Sequence, residues 1–197
     1  MPDAKTNSGA PRRGVLQLET FTASKNFVDN PRYIAQRQTS LSKLDVQSID
    51  SPIIDIIEGF AKLPYCFTLQ SCYGHFITPG QRDRYNITRL SISAGVSMVD
   101  YRIAYLALCL EGSKNGKMLF QDLTKIPTID PEYIQFGCAE WFWQRQVNSY
   151  VLQVEPIRHL GKDKVHVAYQ EAFHIQDTRD RFFDRLKKLL QERLDGQ

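Results

Sequence analysis

Residues 65–75 read Tyr65-Cys66-Phe67-Thr68-Leu69-Gln70-Ser71-Cys72-Tyr73-Gly74-His75. The aromatic, β-branched and apolar start of this stretch predicts a short strand from Tyr65 to Leu69. Small and polar residues then gather from Ser71 to His75, which predicts a bend at the strand's end. Gly74 can take a positive φ there, or let a ligand approach the backbone closely. Exposed N–H groups in such a bend bind anions or carboxylates.

Upstream, Asp50-Ser51-Pro52 is a helix start, with Ser51 as cap and Pro52 at the first helical position. Ile53, Ile54, Ile56, Ile57 and Phe60 then form a broad apolar face, and Pro64 ends the helix. Asn30-Pro31 predicts an earlier helix running to about Leu44. Downstream, Thr78-Pro79-Gly80-Gln81 is a turn. Leu90, Ile92 and Ala94 alternate with Arg89, Ser91 and Ser93, the period of a half-buried strand.

A helix is predicted over Tyr101–Leu110, with Tyr101, Ala104, Tyr105 and Leu108 on one side, ending before Gly112 and Asn115-Gly116. Residues 126–132, with Pro127 and Pro131, read as a loop. Glu140–Val147 and Tyr150–Glu155 read as strands joined at Asn148-Ser149, and Pro156 stops the second. From about Asp177 to Leu194 the chain predicts an amphipathic helix. Its core face is Phe182, Leu186, Leu189 and Leu190, and its charged residues are solvated. No regular βαβ alternation is present, so the fold class is α+β, a mixed sheet packed with helices, rather than a doubly wound parallel sheet. Residues 1–13 are polar and predict a disordered tail; residues 14–197 form one domain.

The chain has 197 residues, 42% hydrophobic and 24% charged, enough apolar material for a packed core. No apolar run reaches the roughly 18–20 residues of a membrane helix, and the start carries no secretory pattern, so a cytoplasmic protein without membrane contact is expected. The net charge of +3 neither requires nor excludes a nucleic-acid partner. Cys66, Cys72, Cys109 and Cys138 form no C-x-x-C pair and read as reduced thiols.

Cys72 and His75 carry the chemistry that stands out. They form a thiol–imidazole pair if the bend brings them together, with a thiolate nucleophile as the consequence. A metal set of Cys66, Cys72, His75 and Cys138 has irregular spacing, and no metal is expected from it. A ligand-binding bend and a plain turn with a buried cysteine complete the alternatives.

The stretch from Phe27 to Ile77 resembles the start of the wybutosine-synthesis methyltransferase family, which methylates a tricyclic guanine derivative in phenylalanine tRNA. Ser48-Ile49-Asp50 matches the end of that family's first motif, and Thr68, Ser71, Cys72 and Gly74 match its second. Val46 and Gln47 replace a lysine and a glycine, Leu69 and Gln70 replace small hydroxyl residues, and His75 replaces an arginine. The resemblance implies that family's fold, S-adenosylmethionine as cofactor and tRNA or a modified nucleoside as substrate. It implies Thr68, Ser71, Cys72 and Gly74 as the cofactor site. Asp50 would be a base or orient an amine, and His75 a donor to a carboxylate or phosphate; with Cys72 they form the catalytic set. For Asp50 the plain alternative is helix capping. A non-catalytic RNA- or small-ligand-binding protein on the same scaffold, and a thiol enzyme using Cys72, are the other functions weighed.

Glu140-Trp141-Phe142-Trp143-Gln144-Arg145 is the second notable segment. In a strand, Trp141 and Trp143 share a face, and with Arg145 they form a surface on which a base can stack. The same cluster also fits a sheet core. Gln153, Glu155 and Arg158 flank Pro156 near a strand end, where sites often form. His159, His166 and His174 are scattered and read as structural or exposed.

Overall fold

A computed structural model describes residues 21–91 and 95–196. The predicted tail therefore lies outside the described residues. Within them the order is α1 (Tyr33–Ser42), α2 (Ile54–Lys62), β1 (Cys66–Cys72), β2 (His75–Ile77), β3 (Met98–Arg102), β4 (Ala104–Leu110), α3 (Lys114–Leu123), β5 (Ile134–Gly137), α4 (Glu140–Arg145), β6 (Ser149–Val154), β7 (Lys164–Ala168) and α5 (Tyr169–Asp195). The strands make two antiparallel sheets, ordered β1-β4-β6-β5 and β2-β3-β7. The α+β class follows, and no helix among the described residues is long and apolar enough to cross a membrane.

The sheets are joined by two bends. Only Tyr73-Gly74 separates β1 from β2, and only Ile103 separates β3 from β4. Tyr101 fixes this junction from inside the core: its Oη accepts the Ala104 N–H at 2.9 Å and donates to the Val154 carbonyl at 3.0 Å. Gly74 lies opposite, at φ +89°, where a Cβ would sit 2.8 Å from Ala104 Cβ. Glycine is required here both by backbone conformation and by the close approach of the neighbouring strand.

α2 starts near Pro52 and ends before Pro64, through a short 3-10 turn at Ser51–Ile53. Ile53, Ile56, Ile57 and Phe60 are buried, and α2 packs on β1 and α5. α5 begins at Tyr169 rather than near Asp177, and it buries Phe182, Leu186, Leu189 and Leu190 as expected. Its charged side is not wholly solvated. Arg179 is 1% exposed, donates Nη1 to the Gly74 carbonyl at 3.0 Å, and lies 3.9 Å over the Tyr73 ring. α5 is thereby fastened to the bend between the sheets.

Several sequence expectations are overturned. Tyr101–Leu110 is the β3–β4 strand pair, not a helix; β4 is covered on both faces, so its apolar run lacks the alternation of a half-exposed strand. Glu140–Arg145 is the helix α4, with Glu140 in its first turn and Arg145 in its last, charges that suit the helix dipole. Residues 89–91 are irregular, and the rest of the strand expected there, 92–94, lies outside the described residues. Strand β1 runs on to Cys72 instead of ending at Leu69.

That extension contains a bulge. The β1–β4 register pairs Thr68 with Leu108 but Gln70 with Ala107, leaving Leu69 as the extra residue. A bulge inverts the alternation of everything beyond it. Cys72, paired with Tyr105, therefore joins Gln70 on the face that carries Ala107, Val151 and Gln153 instead of turning toward the α2 core.

Candidate functional site

Asp50 stands just before the 3-10 turn that leads into α2, yet its side chain makes no capping bond. Oδ2 instead accepts the Tyr73 N–H at 2.8 Å and lies 3.3 Å from His75 Nε2. The other ring nitrogen, Nδ1, faces the Asn86 carbonyl at 3.3 Å, and the Tyr85 ring meets the imidazole edge-on at 5.8 Å. One ligand atom each from Asp50, Cys72 and His75 lies within 4.8 Å of the others. Asp50 thus meets two residues that lie 22 and 25 positions further along the chain.

Burial of the His75 ring opposes its charge, but the bonds to Asp50 and Cys72 outweigh that and raise its pKa to about 10. Burial likewise works against the Asp50 carboxylate, and the His75 bond, the Tyr73 N–H and the Arg102 charge together hold it below the usual range. At neutral pH the pair is an imidazolium and a carboxylate. An anion already accepting two bonds is a weakened base, and these two bonds tie the start of α2 to the bend.

Cys72 links this cluster to a cavity of about 480 Å³. Trp141, Phe142 and Phe21 supply its aromatic wall, while Tyr105, Ile103, Val151 and Ala139 form an apolar floor. Its polar end carries Arg102, Gln153, Glu155, Lys162 and Asp163. Glu155 is wholly buried. Its carboxyl accepts N–H bonds from Gly161 and Lys162, at 3.2 and 2.9 Å, and the Gln153 amide at 2.6 Å. Burial raises its pKa to about 7 despite the two backbone donors, and Asp163 adds to the rise.

The structure divides the sequence-predicted residues. Asp50, Cys72 and His75 come together. Thr68 and Ser71 line a separate cavity of about 500 Å³, with Ser40, Ser48 and Ile57. Gly74 faces the packed Tyr101–Ala104 junction rather than open space. Cys66 is buried against the Phe60 carbonyl and Cys138 accepts the Lys25 N–H, so neither belongs to the Cys72–His75 group; all four cysteines are free. Trp141 and Trp143 do not share a face, because two residues along a helix turn through roughly 200°. Trp141 lines the cavity with the Arg145 guanidinium 4.9 Å over its ring, whereas Trp143 packs against Tyr150. His166 and His174 are exposed and pair with Asp100 and Asp130. Arg102, Tyr105, Lys162 and Asp163 were not singled out from sequence: they come from three separate segments and share no local pattern.

No known protein family's profile matches the sequence, and no curated protein matches it. Among solved structures, the chain is similar to the PH1069 protein from Pyrococcus horikoshii, with a TM-score of 0.50 and 12% identity. The similarity covers 82% of this chain and 95% of that one. At this identity the likeness is one of fold.

Proposed function

We propose that this chain is an S-adenosylmethionine-dependent methyltransferase acting on tRNA or a modified nucleoside, related to the wybutosine-synthesis enzymes. One observation carries the reading. The two segments that bear the resemblance, Ser48-Ile49-Asp50 and Thr68–Gly74, are tied together by the Asp50 bonds to Tyr73 and His75, beside an aromatic-walled cavity.

The cavity's residues fit such a cofactor. Its volume lies in the range of about 300–1,000 Å³ typical of ligand pockets. Trp141 and Phe142, stacked on each other at 3.9 Å, give the cavity an aromatic border against which a flat ring can pack. Arg102 and Lys162 suit a carboxylate, while Gln153 and Asp163 suit hydroxyl and amino groups. Bound there, the cofactor supplies an electrophilic methyl group, so the protein's work is alignment. Asp50 and His75 hold the β1–β2 bend and with it Cys72 at the cavity wall. Arg179 fixes the same bend from α5.

The thiol-enzyme reading fits less well. At neutral pH His75 is already protonated, with its ring nitrogens at Asp50 and the Asn86 carbonyl, so it can take the Cys72 proton only after giving one up. A non-catalytic binding role on the same scaffold is supported by the engaged state of Asp50. Incubating the protein with unmodified and hypomodified tRNA and methyl-labelled S-adenosylmethionine separates the readings. Label in tRNA supports transfer, and binding without label supports the non-catalytic role.

A further inference from the structure

We propose that Asp50, Cys72 and His75 form a binding site for a divalent first-row metal ion of the zinc type. The site goes beyond the methyl-transfer reading and does not depend on it. Among the described residues, this trio is the group of His, Cys and acidic side chains whose ligand atoms converge, all within 4.8 Å of one another. It offers one nitrogen, one sulfur and one oxygen, a set that suits zinc and its neighbours rather than calcium or magnesium.

The His75–Asp50 spacing supports the assignment, and Cys72 Sγ closes the rest of the trio's span of up to 4.8 Å by a side-chain turn on binding. With metal–donor distances of about 2.1 Å, the 3.3 Å between His75 Nε2 and Asp50 Oδ2 subtends roughly 100° at a shared ion, close to tetrahedral. The ligands sit on three separate elements: the turn before α2, the end of β1 and the start of β2. Outer partners also match what metal ligands need. The Asn86 carbonyl takes the Nδ1 proton, which leaves Nε2 for the ion, and the Tyr73 N–H steadies the carboxylate. Cys72 and His75 are buried, at 8% and 1% exposed, so the ion is shielded from bulk water. Positive charge near the site comes from Arg102, whose guanidinium lies 5.0 Å over the Tyr85 ring, and from Arg179, which bonds the Gly74 carbonyl at 3.0 Å. Two anionic ligands in contact with the ion outweigh it. On binding, the ion takes the place of the proton between Nε2 and Oδ2, and the Cys72 thiol proton is released to solvent. Three protein ligands leave a fourth position for water or a cavity ligand.

The test is a cobalt(II) titration of the full chain after chelator treatment, followed by absorbance and by equilibrium dialysis. One ion per chain is expected, with a near-ultraviolet thiolate-to-cobalt band that zinc abolishes by displacement. Cys72→Ser should remove the band and weaken binding at least tenfold, whereas Cys109→Ser leaves both unchanged. Should Cys72→Ser not fold, zinc is expected to slow thiol-reagent labelling of wild-type Cys72, located by peptide mapping, without slowing labelling of Cys138. No bound cobalt, a band that survives Cys72→Ser, or labelling of Cys72 indifferent to zinc would overturn the site.

Discussion

His75 Nε2 lies 3.3 Å from Asp50 Oδ2, and this ion pair joins the start of α2 to the second sheet across the bend at Tyr73-Gly74. His75 is almost wholly buried and Asp50 mostly so, which places the pair among those whose rupture strands a charge. Asp50→Asn is expected to cost about 2–4 kcal/mol, which for a chain of this size lowers Tm by roughly 5–12 °C. Calorimetry of the two proteins at pH 6 checks it.

The same pair sets a pH window. The raised His75 value means its contribution is complete below 6.5 and is lost as pH rises through about 10. The lowered Asp50 value means its contribution is present above 3.8 and is lost as pH falls through its folded value. Denaturant unfolding should therefore show the gap between wild type and Asp50→Asn widest between about pH 4 and 6.5 and nearly closed at pH 10.

Glu155 behaves oppositely to an ordinary surface carboxylate. Its value is raised from 4.5 to about 7, so the folded state holds the proton longer than the unfolded state. The contribution is full below 4.5 and is lost as pH rises through about 7. The stability of Glu155→Gln relative to wild type is expected to improve as pH rises from 4.5 to 7.5. Paired unfolding curves across that range test it, and a constant difference would show that Glu155 does not titrate there.

At Gly74 a positive φ and a close approach coincide. Gly74→Ala places its methyl 2.8 Å from Ala104 Cβ and 3.0 Å from the Ala104 nitrogen, in a backbone conformation that disfavours side chains. Strain and overpacking together are expected to cost about 2–4 kcal/mol. Gly80→Ala shares the positive φ but meets nothing within 4 Å, so about 1 kcal/mol is expected there. Thermal unfolding of both variants separates the two effects.

Local signals in the sequence were strong where proline and apolar periodicity coincide, as in α2 between Pro52 and Pro64. Asp50, Cys72 and His75 each stand out in a short local stretch, and the fold brings their side chains together. Tyr101–Leu110 misled because a doubly covered strand and a buried helix share the same apolar run. Trp141-Phe142-Trp143 misled because aromatic side chains favour strands, while the charges at Glu140 and Arg145 complete a short helix. The bulge at Leu69 had no readable cue, yet it decides that Cys72 turns to the cavity while Ser71 turns away. The burial of Arg179 was hidden too, since its role depends on a glycine carbonyl far away in sequence.

On the proposed reading the cavity beside Cys72 takes S-adenosylmethionine, and isothermal titration of the cofactor and its demethylated product into wild type and Trp141→Ala is the decisive measurement. One site per chain is expected, with affinity falling about tenfold or more once the indole is removed. Absence of heat with either ligand, or equal affinity in both proteins, would contradict it.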